Sequence, residues 1–186
     1  MTRAFIIGGA RSGKSTYAEN LAGAFAKEGA KEVIYIATAQ SSDSEMAQRI
    51  SHHRQQRDTS WTTVEAPLAL AAAIAQHSKP DTVVLVDCLT VWLANLLFSE
   101  QKDFPEIGII TPPACFQLER DALMQALDEA QGDVILVSNE VGQGIVPQGA
   151  ISRWFVDEAG RLNQAVAARC DRAVLIVAGL PLTLKG

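Results

Sequence analysis

The sequence predicts an open α/β fold, a mostly parallel central sheet flanked by helices. Three observations carry that expectation. Five short runs rich in Val and Ile recur along the 186 residues, and longer segments of helical character separate them. The first run passes at once into GGARSGKS, residues 8–15. Apolar runs without polar alternation fit strands covered on both faces, as in a parallel sheet. Strands alternating with helices imply right-handed crossovers within one sheet.

The elements follow in order. AFII (4–7) is the first strand, and 14–28 reads as the helix after the glycine-rich loop. VIYIA (33–37) is the second strand. SSDSEMAQRISHHRQQR then opens with a capping box, Ser42-x-x-Glu45, which predicts a helix over 44–57. A helical pattern at 67–77 leads to the strand TVVLVD (82–87). Further helices are expected at 116–131 and 153–169, with strands DVILVS (133–138) and AVLIVA (173–178) after them in turn. SEQKDFPEIGIITPPACF (99–116) holds three prolines and is expected to be a surface loop or short excursion without assigned chemistry. No internal repeat or low-complexity tract interrupts the pattern, so one domain over 1–186 is expected.

Composition narrows the function classes. With 48% hydrophobic and 20% charged residues, the chain has an ordinary globular balance and is long enough to bury a core. A net charge of −5 lends no electrostatic support to a nucleic-acid partner. Cys88, Cys115 and Cys170 are odd in number and far apart, which suits free thiols in a reducing compartment. The N-terminal apolar run is too short for a signal peptide, and no stretch reaches the roughly 20 apolar residues of a membrane span. A cytoplasmic location is the expectation.

GGARSGKS fits G-x-x-x-x-G-K-S, between a predicted strand and a predicted helix, the context this phosphate-binding loop requires. Gly8 and Gly13 permit backbone conformations that let successive N–H groups wrap phosphate oxygens. The helix starting near Lys14 adds its positive end. Lys14 is placed to reach the β- and γ-phosphates, and the Ser15 hydroxyl to ligate Mg²⁺. Asp87, the acid ending TVVLVD, matches the Walker B position and is the second Mg²⁺ candidate. Its neighbour Cys88 reads as a small buried side chain rather than a nucleophile.

RISHHRQQR (49–57) places two histidines among three arginines. A solvated helix face, half of a metal site and a histidine acting on an anionic substrate are the competing readings. On the predicted helix Met46, Ile50, His53 and Arg57 share a stripe, while His52 lies about 100° around from His53. Adjacent positions do not chelate one ion, which makes a metal site the weakest reading. Arg49 and Arg57 lie one turn either side of His53, with Arg54 beside it. These cations favour the neutral, nucleophilic imidazole and suit phosphate oxygens. Periodicity alone leaves the solvated face open. His52 and His77 read as surface or structural residues.

The motifs GGARSGKS, YIATAQ, EMAQRISHHRQQR, WTTVEAP, VDCLTVWLANLLF, VSNEVGQGIVP and DEAGRLNQAVA occur in this order. Together they resemble the bifunctional adenosylcobinamide kinase/adenosylcobinamide-phosphate guanylyltransferase family, across nearly the whole chain except about 99–117. The resemblance implies a RecA-type P-loop fold and typically a homotrimer. It also implies two reactions of cobalamin biosynthesis. Adenosylcobinamide is phosphorylated from a nucleoside triphosphate (GTP, or ATP as phosphate donor). GMP then passes from GTP through a GMP-histidine intermediate, giving adenosylcobinamide-GDP and pyrophosphate. The family's R-I-x-x-H pattern places the nucleophile on His53. Carried over likewise, the nucleotide contacts are Gly8, Gly9, Ala10, Arg11, Ser12, Gly13, Lys14, Ser15, Ala37, Thr38, Ala39, Arg54, Gln55, Gln56, Arg57, Glu65 and Asp87. Asn139 and Glu140, in the loop after the fourth strand, are further candidates at the crevice end of the sheet, or else turn residues.

Overall fold

The structure is a computed structural model that describes residues 1–39, 58–100 and 103–186. Its strands are β1 (Arg3–Gly8), β2 (Glu32–Ala37), β3 (Thr62–Glu65), β4 (Thr82–Asp87), β5 (Asp133–Asn139), β6 (Arg172–Val177) and β7 (Leu180–Lys185). The described helices are α1 (Lys14–Gly29), α2 (Leu70–His77), α3 (Leu89–Leu97), α4 (Ala114–Glu129) and α5 (Ala150–Arg169). The strands form one sheet in the order β3-β2-β4-β5-β1-β6-β7. The first six in that order run parallel, and β7 closes the edge antiparallel to β6. The α/β class with a mostly parallel sheet is the one expected.

Alternate residues of each strand feed two cores, as the strand period of two requires. Ala4, Ile6, Val33, Tyr35, Val83, Leu85, Ile135 and Val137 pack with Ala18 and Ala22 of α1. Phe5, Ile7, Ile34, Ile36, Val84, Val86, Val134 and Leu136 face the apolar residues of α2 to α5. Among the described helices, α1 therefore has one face of the sheet to itself. Because the central strands are parallel, their C-terminal tips end on a single edge, where such sheets bind ligands.

Three elements were not expected from sequence. β3 is four residues long and mostly exposed, so no buried run marks it. β7 contains Pro181 and is exposed throughout, as an edge strand tolerates. The helix α3, LTVWLANLL, is apolar on nearly every side because it is buried, and so lacks a polar stripe. The 99–116 excursion is less loop-like than expected. Ala114 to Phe116 already belong to α4, Ile110 is buried, and Phe104 packs edge-on to Phe98 at 5.7 Å. The helix expected over 44–57 lies outside the described residues.

Candidate active site at the C-terminal edge of the sheet

The loop between β1 and α1 has the geometry of an anion cradle. Arg11 and Gly13 both occupy the left-handed region, at φ 56° and 95°. Left-handed residues in such a turn suit it to present backbone N–H groups to an anion, while the Ser12 N–H closes the loop on the Gly9 carbonyl at 3.3 Å. The first bond of α1 runs from the Tyr17 N–H to the Gly13 carbonyl at 3.0 Å, so the N–H groups of Lys14, Ser15 and Thr16 precede it at the positive end of the helix. Lys14 is nearly buried and its Nζ donates to the Gly9 carbonyl at 3.2 Å, which lays the ammonium across the loop. A Cβ on Gly8 would stand 2.6 Å from both the Ile176 carbonyl and Ser12 Oγ. No other residue fits there. Ser12 Oγ is itself buried and finds no hydrogen-bond partner among the described residues.

A hairpin supports this loop from behind. The turn between β6 and β7 passes through Ala178 and Gly179, both at positive φ. The Gly179 N–H donates to the Ser12 carbonyl at 2.8 Å, and a Cβ on Gly13 would lie 3.2 Å from Gly179 Cα. On the other side the Glu140 N–H donates to the Gly8 carbonyl at 3.0 Å. The Glu140 carboxylate turns away into its own loop, where Oε1 accepts the Gly142 N–H at 2.6 Å.

Asp87 ends β4 on the α1 face, in line with Val83 and Leu85. The Tyr35 hydroxyl of β2 donates to its Oδ2 at 3.2 Å. This hydroxyl orients the carboxylate and could not have been assigned from sequence, where Tyr35 is merely part of an apolar run. Asp87 with the Ser15 hydroxyl offers hard oxygen donors, few in number, which suits an Mg²⁺ ion that takes most of its remaining ligands from phosphates and water. Among the described residues there is no cluster of three or more His, Cys, Asp or Glu that would form an all-protein cage. Cys88 is buried, and that burial, aided by the Asp87 charge, pushes its thiol up to about 11. It stays protonated and inert at neutral pH.

Register brings the remaining described candidates to the same edge. Ala37 pairs with both Glu65 and Asp87, and Gly8 pairs with Asn139. Thr38 is fully buried, and its polar groups are taken up internally. Its hydroxyl donates to the Cys88 carbonyl at 2.8 Å and accepts the Cys88 N–H at 2.9 Å. Its N–H donates to the Asp87 carbonyl at 3.2 Å, and its carbonyl accepts from Asn95 Nδ2 at 2.8 Å. Thr38 thus pins the tip of β2 to the start of α3. Ala39 is the last described residue on leaving β2, and Glu65 stands exposed at the tip of β3. His53, Arg54, Gln55, Gln56 and Arg57 lie outside the described residues, as do His52 and Arg49.

The family model described as cobinamide kinase / cobinamide phosphate guanyltransferase matches residues 4–184. The chain is 50% identical over 184 residues to the bifunctional adenosylcobalamin biosynthesis protein CobP of Pseudomonas aeruginosa, covering 99% of this chain and 98% of that one. It is 42% identical over 182 residues to the bifunctional adenosylcobalamin biosynthesis protein CobU of Escherichia coli, covering 97% and 98% respectively. Among solved structures, the flagellar accessory protein FlaH of Methanocaldococcus jannaschii superposes with a TM-score of 0.53 at 12% identity, covering 99% of this chain and 78% of that one. The last likeness concerns fold alone.

Proposed function

From the premise that this chain belongs to the cobinamide kinase / cobinamide phosphate guanyltransferase family, we infer that it carries out two successive transfers in adenosylcobalamin biosynthesis. It is a kinase and a guanylyltransferase. It phosphorylates adenosylcobinamide from a nucleoside triphosphate and then moves GMP from GTP onto the new phosphate, releasing pyrophosphate. The observation that carries the site is the juxtaposition on one sheet edge of the β1–α1 cradle with the Asp87 carboxylate.

In this reading Gly8 to Ser15 hold the triphosphate by backbone N–H groups, and Lys14 leaves Gly9 to neutralise the β- and γ-oxygens. Ser15 and Asp87 hold Mg²⁺, which supplies charge neutralisation on the phosphate oxygens when bound. Ala37, Ala39 and Glu65 flank the nucleotide along the edge, with Thr38 shaping the wall behind them. GTP is the guanylyl donor, and GTP or ATP the phosphoryl donor. His53 is the nucleophile of the second reaction, with Arg54, Gln55, Gln56 and Arg57 lining the nucleotide beside it. Its imidazole attacks the α-phosphorus, the α–β bridging bond breaks and pyrophosphate leaves. A phosphate oxygen of the corrinoid then displaces the imidazole. We propose a single domain, homotrimeric assembly and a cytoplasmic location. No described helix is long and apolar enough to cross a membrane.

The test is incubation with α-labelled GTP without corrinoid. Label should appear on protein, with the acid lability and alkali stability of a phosphoramidate. His53→Ala should abolish it and keep the kinase step in large part, while His52→Ala should keep both. Label that maps to His52, or persists in full in His53→Ala, refutes the assignment. A wild-type protein that phosphorylates cobinamide but never takes label is a simple kinase.

A further inference from the structure

Just behind the cradle, four residues close a ring of hydrogen bonds. The Thr90 hydroxyl meets Ser138 Oγ at 3.1 Å, and Ser138 Oγ donates to Asn163 Oδ1 at 2.7 Å. Asn163 Nδ2 donates to the Asn139 carbonyl at 3.3 Å, and the Asn139 N–H donates back to Thr90 Oγ1 at 2.7 Å. With the Thr90 proton on Ser138, every donor in the ring has one acceptor and the circuit runs in one direction. Thr90, Ser138 and Asn163 are all buried, at 8%, 1% and 8% exposure. Burying three polar side chains in an otherwise apolar core is costly unless each is satisfied, and a satisfied ring is rigid. The ring joins α3, β5 and α5, three elements far apart in sequence.

Its product is a fixed backbone at Asn139. Both main-chain polar groups of that residue are gripped by side chains at the last rung of β5. Strand alternation then puts the Asn139 side chain on the face of Ile135 and Val137, which is the α1 face. β5 lies between β1 and β4, with Gly8 opposite Asn139 and Asp87 opposite Val137. The half-buried carboxamide therefore stands between the cradle and the metal-side acid, where the terminal phosphate of a bound nucleotide belongs. Thr90 sits three residues after Asp87, so the ring also ties the carboxamide to that acid.

We propose that Asn139 is a catalytic residue of phosphoryl transfer, donating from Nδ2 to a γ-phosphate oxygen, and that Thr90, Ser138 and Asn163 are its positioning residues. The inference rests on the kinase reading above. In that step the substrate hydroxyl oxygen bonds to the γ-phosphorus and its proton passes to water. The bond to the β–γ bridging oxygen breaks, and the nucleoside diphosphate leaves with the electron pair. A donor held on the γ-oxygens stabilises their charge throughout without any reorganisation at the moment of reaction.

Steady-state kinase assays on the full chain, with adenosylcobinamide and saturating nucleotide, test this. Asn139→Ala should lower kcat on the order of tenfold to a hundredfold, with the nucleotide KM within about threefold because the cradle and Lys14 still bind the triphosphate. Asn139→Asp, nearly isosteric, should be slower still, since it sets a carboxylate against the phosphate. Thr90→Val should reduce kcat with Asn139 in place, and Thr90→Ser should restore it. Thermal melting identifies variants that fold. A folded Asn139→Ala with kcat within twofold of wild type overturns the catalytic role, and so does Asn139→Asp as fast as Asn139→Ala. If folded Thr90→Val melts earlier but keeps wild-type kcat, the ring is structural only. A wild-type protein without kinase activity refutes the kinase reading and this inference together; an active wild type with an indifferent Asn139 refutes this inference alone.

Discussion

The Asp87 carboxylate shows how a residue is prepared by one that sequence cannot connect to it. An acid at the end of an apolar run is legible, because nothing in a buried strand calls for a charge there. The hydroxyl that orients it comes from Tyr35, 52 positions away, and tyrosine is an unremarkable member of a strand. Tyr35→Phe removes the donor while keeping the ring that fills the core, so folding should survive. The Mg²⁺ concentration for half-maximal kinase activity should rise about tenfold, in the range seen when an outer partner of a metal ligand is lost. Asp87→Asn should be more severe, because the charge itself goes. A magnesium titration of the three proteins decides this. An unchanged midpoint in Tyr35→Phe would make the Tyr35 hydroxyl a packing detail. The same distance effect hid Thr90, Ser138 and Asn163. The only local sign was the change from apolar to polar at the end of DVILVSN.

At the scale of elements, legibility followed burial on both faces. β1, β2, β4, β5 and β6 were readable because helices or core cover each side and leave an unbroken apolar run. The edge strands β3 and β7 carry one-sided or exposed patterns, and the wholly buried α3 shows no stripe. The cradle was readable because glycine is demanded by geometry there, and that demand can be separated from ordinary helix glycine by experiment. A methyl at Gly8 would collide with the Ile176 backbone and Ser12, whereas a methyl at Gly23 within α1 would meet nothing within 4 Å among the described residues. Gly23→Ala should therefore stabilise the protein by about 0.5–1 kcal/mol through helix propensity. Gly8→Ala should destabilise by about 1–3 kcal/mol as an overpacked contact and weaken nucleotide binding. Denaturant melts with and without nucleotide test the pair. Two substitutions of equal effect would mean that Gly8 is not held by close approach.

Considered as a whole, the proposed function asks one phosphate cradle to serve two chemistries. GGARSGKS is the sole G-x-x-x-x-G-K-S stretch in the chain, and one sheet carries every described strand. Parallel strands deliver Gly8, Asn139, Asp87, Ala37 and Glu65 to the same edge, and the chain leaves the described residues at Ala39 on that edge. The nucleotide can then stay on one triphosphate site while the attacking group changes. In the function proposed above, a substrate hydroxyl takes the γ-phosphorus in one step, and an imidazole takes the α-phosphorus in the other. On that proposal Lys14 serves both. Among the described residues its Nζ bonds only the Gly9 carbonyl, so Lys14→Ala should fold. Loss of a charge-assisted contact of about 1.5–3 kcal/mol predicts that kinase turnover and GMP labelling both fall, each by roughly tenfold or more. The two rates are to be measured on one preparation whose melting temperature matches wild type. Loss confined to one reaction would require a second triphosphate site elsewhere on the chain, and near-wild-type rates in both would remove the cradle from the mechanism.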